Sequence, residues 1–253
     1  MAKAQSENNI AIIGAGHMGT ALMDGLVKSG IKKNSIRLGK RGASNMRAVN
    51  GARIIFVAVK PSVVDELLSE FKDELKGKVV VSLAAGVTSG YLKKHAKGAH
   101  VARIMPNLPV AEGEGVIGFM RGNLSDAEVK VISKLLSGLG VVIKVRTDLE
   151  LDAITLIAGC GPGVVASFVE ALSKNAARYG LTGFRAEQIA FQTFKGTLAY
   201  MESRLIPAAR LKKAVATKGG VTEAILKDLE KGFEKNLARA LDVGGKRIKK
   251  IRR

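Results

Sequence analysis

Short, mostly apolar runs recur through the first part of the chain, at residues 10–13, 54–59, 79–83, 101–105, 116–119 and 141–145. Each is rich in Val and Ile and bounded by Gly, Pro, Lys or Asn, the pattern of parallel strands buried on both faces. A shorter run at 36–38 precedes a basic turn. Helical periodicity fills several of the gaps. Leu22, Leu26 and Val27 share one face of residues 21–28, and Val64, Leu67, Leu68 and Phe71 share one face of residues 63–75. Strand–helix alternation predicts an α/β domain, a doubly wound Rossmann sheet with right-handed crossovers.

The pattern changes near Asp148, after which no strand is evident. Val165, Phe168, Val169, Leu172, Ala176 and Tyr179 recur at helical spacing, as do Ile189, Phe191, Phe194 and Leu198. Gly180 stands where a helix stop belongs. Further helices are predicted at 208–216, 222–231 and 233–251. The expected organisation is a dinucleotide-binding domain over residues 1–147 and an all-helical domain over 148–253.

Composition removes several function classes. Cys160 is the single cysteine, so neither a disulfide framework nor a Cys-based zinc site is possible. His17, His95 and His100 are scattered, and no metal site is expected. The polar stretch from Met1 to Asn9 has no apolar h-region, and no run approaches 18 apolar residues. A cytoplasmic protein with no membrane partner is therefore expected. The net charge of +19, from 41 Lys+Arg against 22 Asp+Glu, raises nucleic acid as a partner. An aromatic content of 4% argues against stacking on single strands. The basic end from Lys246 to Arg253 reads as a solvated helix terminus, where cations meet the C-terminal dipole. No specific nucleic-acid partner is expected.

The first apolar run leads into Gly14-Ala15-Gly16-His17-Met18-Gly19 and then a helical pattern, a G-x-G-x-x-G loop between strand and helix. Gly14 permits the tight turn, Gly16 lets backbone approach a pyrophosphate, and Gly19 allows close helix–strand packing. The helix start offers unpaired N–H groups to an anion. At the end of the second strand, an acidic residue would bind the ribose of NAD. Lys40 and Arg41 stand there, with Arg37 close, and cations suit a 2′-phosphate, so NADP is favoured over NAD.

Further motifs follow in order: Ala58-Val59-Lys60-Pro61, Ser82-Leu83-Ala84-Ala85-Gly86-Val87, Met105-Pro106-Asn107-Leu108-Pro109, Gly159-Cys160-Gly161-Pro162 and Thr217-Lys218-Gly219-Gly220-Val221-Thr222. Together, from about Ile10 to Leu237, they resemble the pyrroline-5-carboxylate reductase family. The resemblance implies a Rossmann domain joined to a helical domain that intertwines with a second subunit, as a homodimer or a ring of dimers. It implies hydride transfer from NADPH or NADH to a cyclic imine, the small-molecule substrate, giving L-proline. In family terms, Gly14, Gly16, His17, Met18 and Gly19 form the pyrophosphate loop, with no catalytic role for His17. Lys40, Arg41 and Asn45 lie on the adenosine side. Ala58, Val59, Lys60, Pro61, Ala84, Ala85, Gly86 and Asn107 line the ribose and nicotinamide. Gly219, Gly220, Val221 and Thr222 hold the substrate, and Asp148 stands where the family places an acid near the substrate. By residue type, the product nitrogen takes its proton either from solvent or from a hydroxyl such as that of Thr222. The residue types leave a second reading of Thr222, as the N-cap of the helix that follows.

The chain departs from the family at several points. Ala158 and Cys160 replace serines, and Lys218 replaces a proline before the paired glycines. Each change costs hydrogen bonds of about 0.5–1.5 kcal/mol where a polar contact is lost. Only 11 residues, 42–52, separate Arg41 from the next strand. A helix and an edge strand of the family are missing there, which predicts that the strand at 36–38 becomes the sheet edge and that Asn45 directly precedes the remaining helix. These departures keep two alternatives open: reduction of another small cyclic imine or keto acid, and a Rossmann-fold binding protein with weak catalysis.

Overall fold

A computed structural model describes residues 9–253. The polar start on which no leader is expected lies, through residue 8, outside the described residues. Contacts group the chain into two compact units, one reaching Pro162 and taking back Gly244–Arg253, the other Gly163–Val243. The change of sequence pattern falls at 147/148, where β-structure ends. Compactness divides the chain at 162/163 instead.

The first unit carries β1 (Ile10–Ile13), β2 (Ile36–Gly39), β3 (Ile54–Val57), β4 (Val79–Ser82), β5 (His100–Pro106), β6 (Gly115–Met120) and β7 (Gly140–Lys144). They form one sheet in the order β2-β1-β3-β4-β5-β6-β7. From β2 to β5 all pairings are parallel, in the doubly wound arrangement expected. The expectation that every strand is parallel and buried is corrected at the far edge. β6 runs antiparallel to β5, with Arg103 opposite Met120. The link between them is a single 3-10 turn, Leu108–Glu112, too short for the dozen or more residues a parallel crossover needs. β7 is an edge strand, with Val141 61% and Ile143 43% exposed.

Helices cover both faces. α1 (His17–Lys28) lies on one side, where Leu22 and Leu26 join Ile10, Ile12, Phe56 and Ile104. α2 (Ala43–Asn50), α3 (Val64–Glu70) and α4 (Ser89–His95) lie on the other, where Val49, Leu67, Phe71 and Leu92 join Ala11, Ile13, Ile55 and Val80. Each such Leu or Ile stabilises the fold by about 1.5–3 kcal/mol through burial. α5 (Asp126–Ser137) belongs to the first face and starts at a capping box in which Ser125 and Glu128 exchange hydrogen bonds. β2 is the other sheet edge, as expected from the shortened segment, and α2 alone bridges β2 to β3. Asn45 lies inside α2 rather than before it, because Gly42 (φ 48°) turns the chain early enough for the helix to start at Ala43.

α6 (Asp148–Ile154) continues through a π-helical turn, Thr155–Gly159, towards α7 (Gly161–Ala176). The second unit holds most of α7 with α8 (Gly183–Ser203), α9 (Ala208–Val215), α10 (Val221–Leu229) and the first part of α11 (Phe233–Ile251). Gly180 (φ 79°) ends the 3-10 turn after α7 in the left-handed conformation. Phe168 and Phe233 meet with ring centroids 5.5 Å apart. In this unit only Ala186 and Ala190 are buried, while Phe184, Phe191, Leu198, Ile225 and Leu229 are more than half exposed. The helical stretch Asp148–Tyr179 is also long and apolar enough to cross a membrane by length and composition. That corrects the count made from uninterrupted apolar runs, which Gly, Ser and Thr had broken.

Candidate active site

The glycine loop sits at the carboxyl ends of the parallel strands, where the sheet order turns between β1 and β3. Gly14 has φ 114°, and a Cβ there would lie 2.4 Å from the Ala58 carbonyl oxygen. A Cβ on Gly19 would lie 1.9 Å from the Gly14 carbonyl oxygen. Both contacts are to backbone, so the loop closes only with glycine at these positions. Gly16 differs: no heavy atom lies within 4 Å of where its Cβ would be. It is the N-cap of α1 and leaves an open approach to that helix's first N–H groups. His17 is exposed, and Met18 packs against the core. The open cradle, the helix start and the neighbouring cations fit a dinucleotide phosphate.

The β2 turn is tied to this loop by Gly14 N–H donating to the Gly39 carbonyl at 3.0 Å. Lys40 and Arg41 are exposed on the turn. Asn45 is buried, with its Oδ1 unpartnered and packed against Gly39. Arg37, expected close to these cations, lies elsewhere: its guanidinium covers Gly51 at the C-cap of α2. A cation is favoured at that end of the helix dipole.

Ala58 and Val59 border Gly14 directly. Lys60 is the exposed N-cap of a 3-10 turn with Pro61 as its first residue. Beyond β4, Ala84 is buried and its N–H donates to Ser82 Oγ at 3.2 Å. Gly86 lies under the last residues of the sequence. Its carbonyl accepts from Arg253 N–H at 2.8 Å, Thr88 N–H donates to the Arg253 carbonyl at 3.1 Å, and a Cβ on Gly86 would lie 2.9 Å from Ile251 Cγ1. Arg253 also reaches Asp65 at 2.7 Å, and Arg252 pairs with the buried Asp152. Of the basic end read from sequence as solvated, Lys246, Arg247, Lys249 and Lys250 are exposed as expected. Arg252 and Arg253 instead hold the Gly86–Thr88 loop, because Asp152 and Asp65, far away in sequence, supply their counter-charges.

The Tyr91 hydroxyl donates to the same Asp65. This hydrogen bond, then burial, then the carboxylate's charge push the Tyr91 phenol above its ordinary value, with Arg253 pulling the other way. A raised value means the neutral phenol is favoured by the fold. Its contribution is present below about pH 10 and is lost as pH climbs through the folded-state value. Tyr91→Phe is therefore expected to flatten the alkaline fall in stability. Thermal melts between about pH 8 and pH 11 test this; parallel alkaline arms in both proteins would contradict it.

Asn107 is buried with both ends of its amide in use. Oδ1 accepts from Val116 N–H at 2.8 Å and Nδ2 donates to the Ala158 carbonyl at 3.1 Å. It fixes β6 and the π-helical turn. The bond at Ala158 uses backbone, so the loss of a serine there leaves it intact. Asp148 starts α6 after a Thr147–Glu150 capping box. Its carboxylate pairs with Arg103 and accepts from Ser89 N–H at 3.2 Å and Ser89 Oγ at 3.4 Å. Arg103 is 1% exposed, and its Nε and Nη2 have no partner. Sequence reasoning missed Arg103 because a lone Arg within an apolar strand carries no local signal.

In the second unit, Gly219 (φ 75°), Gly220, Val221 and Thr222 form the turn into α10. The N-cap is Gly220, so the capping role read for Thr222 is corrected: Thr222 stands one residue inside the helix. Gly219 N–H already donates to Glu223 Oε2 at 2.7 Å, and Gly220 N–H to the Thr217 carbonyl at 2.9 Å. The N–H groups without intrahelical acceptors are those of the first turn, Val221 and Thr222 among them. Among the described residues, no group of three or more His, Cys, Asp and Glu could hold a metal ion.

Two family models match. One, described as pyrroline-5-carboxylate reductase dimerisation, covers residues 148–251. The other, NADP oxidoreductase coenzyme F420-dependent, covers 9–48 and 38–86. Pyrroline-5-carboxylate reductase 3 of Danio rerio is 32% identical, with 96% of this chain and 91% of that protein aligned. The pyrroline-5-carboxylate reductase of Corynebacterium melassecola is 30% identical over 87% of this chain and 90% of that protein. Among solved structures, Plasmodium falciparum pyrroline carboxylate reductase with NADP bound superimposes with a TM-score of 0.88 at 26% identity, covering 97% of this chain and 98% of that one.

Proposed function

The chain belongs to the pyrroline-5-carboxylate reductase family, and from that premise we propose that it reduces 1-pyrroline-5-carboxylate to L-proline with NADPH. The observation that carries this reading is a 32% identical reductase aligned with 96% of the chain, together with a glycine loop open at Gly16. Gly14, Gly16 and Gly19 with the α1 N-terminus would hold the pyrophosphate of NADP(H). Lys40 and Arg41 would meet a 2′-phosphate, on a turn that the buried Asn45 supports from behind Gly39. Ala58 to Pro61, Ala84 and Ala85 would line the ribose and nicotinamide, with Gly86 and Asn107 shaping that wall from behind.

Reduced nicotinamide, when bound, supplies the hydride. The protein's share is positioning and proton supply. In the second unit, Val221 and Thr222 N–H groups suit the substrate carboxylate, since those of Gly219 and Gly220 are already used. The Thr222 hydroxyl would donate towards the ring nitrogen, and Asp148 acts through Arg103 and Ser89 as a positioning residue. The protein acts as an oligomer, and its apolar helical surface is covered in a homodimer, alone or within a ring of dimers. This explains the exposed Phe184, Phe191 and Leu198 without a membrane. The setting is a cytoplasmic biosynthetic enzyme.

NADPH oxidation should be followed with pyrroline-5-carboxylate, with pyrroline-2-carboxylate and simple keto acids beside it. Oxidation with the first substrate is expected; none with any of them rejects the reading. Thr222→Ala is expected to lower kcat/KM by roughly tenfold to a hundredfold. Unchanged kinetics would remove Thr222 from the chemistry.

A further inference from the structure

The loop that follows β4, from Ala84 to Thr88, is closed by backbone from far away in the sequence. Arg253 uses both of its main-chain groups on it. Its N–H donates to the Gly86 carbonyl at 2.8 Å, and its carbonyl accepts from Thr88 N–H at 3.1 Å. The two bonds bracket Val87, whose side chain is buried. Just before them the strap packs on Gly86, where a Cβ would lie 3.0 Å from the Ile251 carbonyl oxygen. These main-chain contacts last only while the strap stays in place, and two ion pairs keep it there. Arg253 reaches Asp65 on α3 at 2.7 Å, and Arg252 reaches Asp152 on α6. Asp152 is buried, so parting it from Arg252 would strand a desolvated carboxylate. Asp65 is itself fixed, with one carboxylate oxygen on Arg253 and the other on the Tyr91 hydroxyl of α4.

The loop held in this way is the one whose Ala84 and Ala85 would line the nicotinamide, so the inference rests on the NADPH reading given above. We propose that Arg252 and Arg253 are positioning residues of the reduction, with Asp152 and Asp65 as their anchors. They set the Ala84–Gly86 wall, and with it the depth and tilt of the nicotinamide ring at the hydride-donating end of the cofactor. The phosphate end is set separately, by the glycine loop and the β2 turn, which Gly14 and Gly39 tie together. The strap therefore acts on one end of the cofactor and leaves the other alone. Hydride transfer is a positional reaction, in which a misplacement of about 1 Å can cost about a hundredfold in rate.

The test is the full chain carrying Arg252→Met and Arg253→Met, which keeps side-chain volume and removes both ion pairs. Hydrogen exchange, affinity for NADPH and for 2′,5′-ADP, and NADPH oxidation are compared with the parent. Exchange at the Gly86–Thr88 amides is expected to quicken. NADPH affinity should fall by about fivefold and kcat by about tenfold, the scale on which lost positioning acts. The fragment 2′,5′-ADP, which lacks the nicotinamide, should bind as it does to the parent. Arg252→Lys with Arg253→Lys keeps both charges and should recover most of the loss. Should the methionine pair fail to fold, Arg253→Met alone, at an exposed position, is read in the same way with smaller effects. Unchanged exchange in the loop would overturn the proposal, as would faster exchange with parental NADPH affinity and kcat. An equal loss of NADPH and 2′,5′-ADP binding would overturn it too, as the mark of a loosened domain. A parent that binds NADPH but reduces no imine rejects the reductase reading alone, and the contrast between the two affinities then decides the role of the strap.

Discussion

Gly16→Ala and Gly19→Ala are expected to fail in different ways. At Gly19 the new methyl group would stand 1.9 Å from the Gly14 carbonyl oxygen. No rotamer relieves a clash with backbone, so the loop or α1 must shift. Overpacking of this kind costs about 1–3 kcal/mol or more. Gly19→Ala should lower the melting temperature and abolish measurable NADPH binding together. At Gly16 nothing lies within 4 Å, so the fold should tolerate alanine apart from the small cost of losing glycine at an N-cap. The added methyl group would instead occupy the approach used by a pyrophosphate. Gly16→Ala should therefore keep a near-parental melting temperature while losing roughly a hundredfold in NADPH affinity, about 2.7 kcal/mol. Fluorescence titration with NADPH and thermal melts on both variants separate the two effects. A Gly16→Ala protein that binds NADPH as the parent does would show that phosphate does not approach there.

Asp148→Ala is expected to be the most destabilising polar substitution in the first unit. It leaves Arg103, 1% exposed, as an uncompensated buried cation with two nitrogens already unpartnered. Removing one member of a buried pair costs about 3–5 kcal/mol, and the partial exposure of Asp148 places this case near the lower value. Adding Arg103→Met should restore much of that stability, since an apolar side chain of similar volume needs no counter-charge. Urea unfolding of the parent, the single variant and the double variant reads the result. Recovery of stability with full recovery of KM would make Asp148 purely structural. Recovery of stability with a persistently raised KM for pyrroline-5-carboxylate would give it a share in binding the substrate.

The positions of the strands were legible because a strand buried on both faces needs a mostly apolar stretch, and six such stretches and a shorter one at 36–38 stand out. The glycine loop was legible for a similar reason: Gly14 and Gly19 are required by contacts with atoms close in the fold and fixed by the strand–turn–helix sequence. Strand direction was not legible at β6, since a four- to six-residue apolar run reads alike in either direction. Only the short 3-10 link decides it. The same limit applied to polar side chains with distant partners. Asn107 appeared as a cofactor-lining residue, but its amide is taken by Val116 and Ala158. Arg37 appeared beside Lys40 and Arg41, but it turns to the far end of α2.

By itself, the sequence determined the order of strands and helices, the glycine loop, the shortened stretch after Arg41 and the basic balance of charge. These depend on neighbours along the chain: periodicity, turn chemistry and the conformational freedom of glycine. Tertiary structure decided where the charges go. Arg252 and Arg253 find Asp152 and Asp65, 100 and 188 positions away, and close over Gly86. Arg103 finds Asp148. An ion pair depends on distance through space, and a single charged residue carries no mark in the sequence of the partner that folding will bring to it.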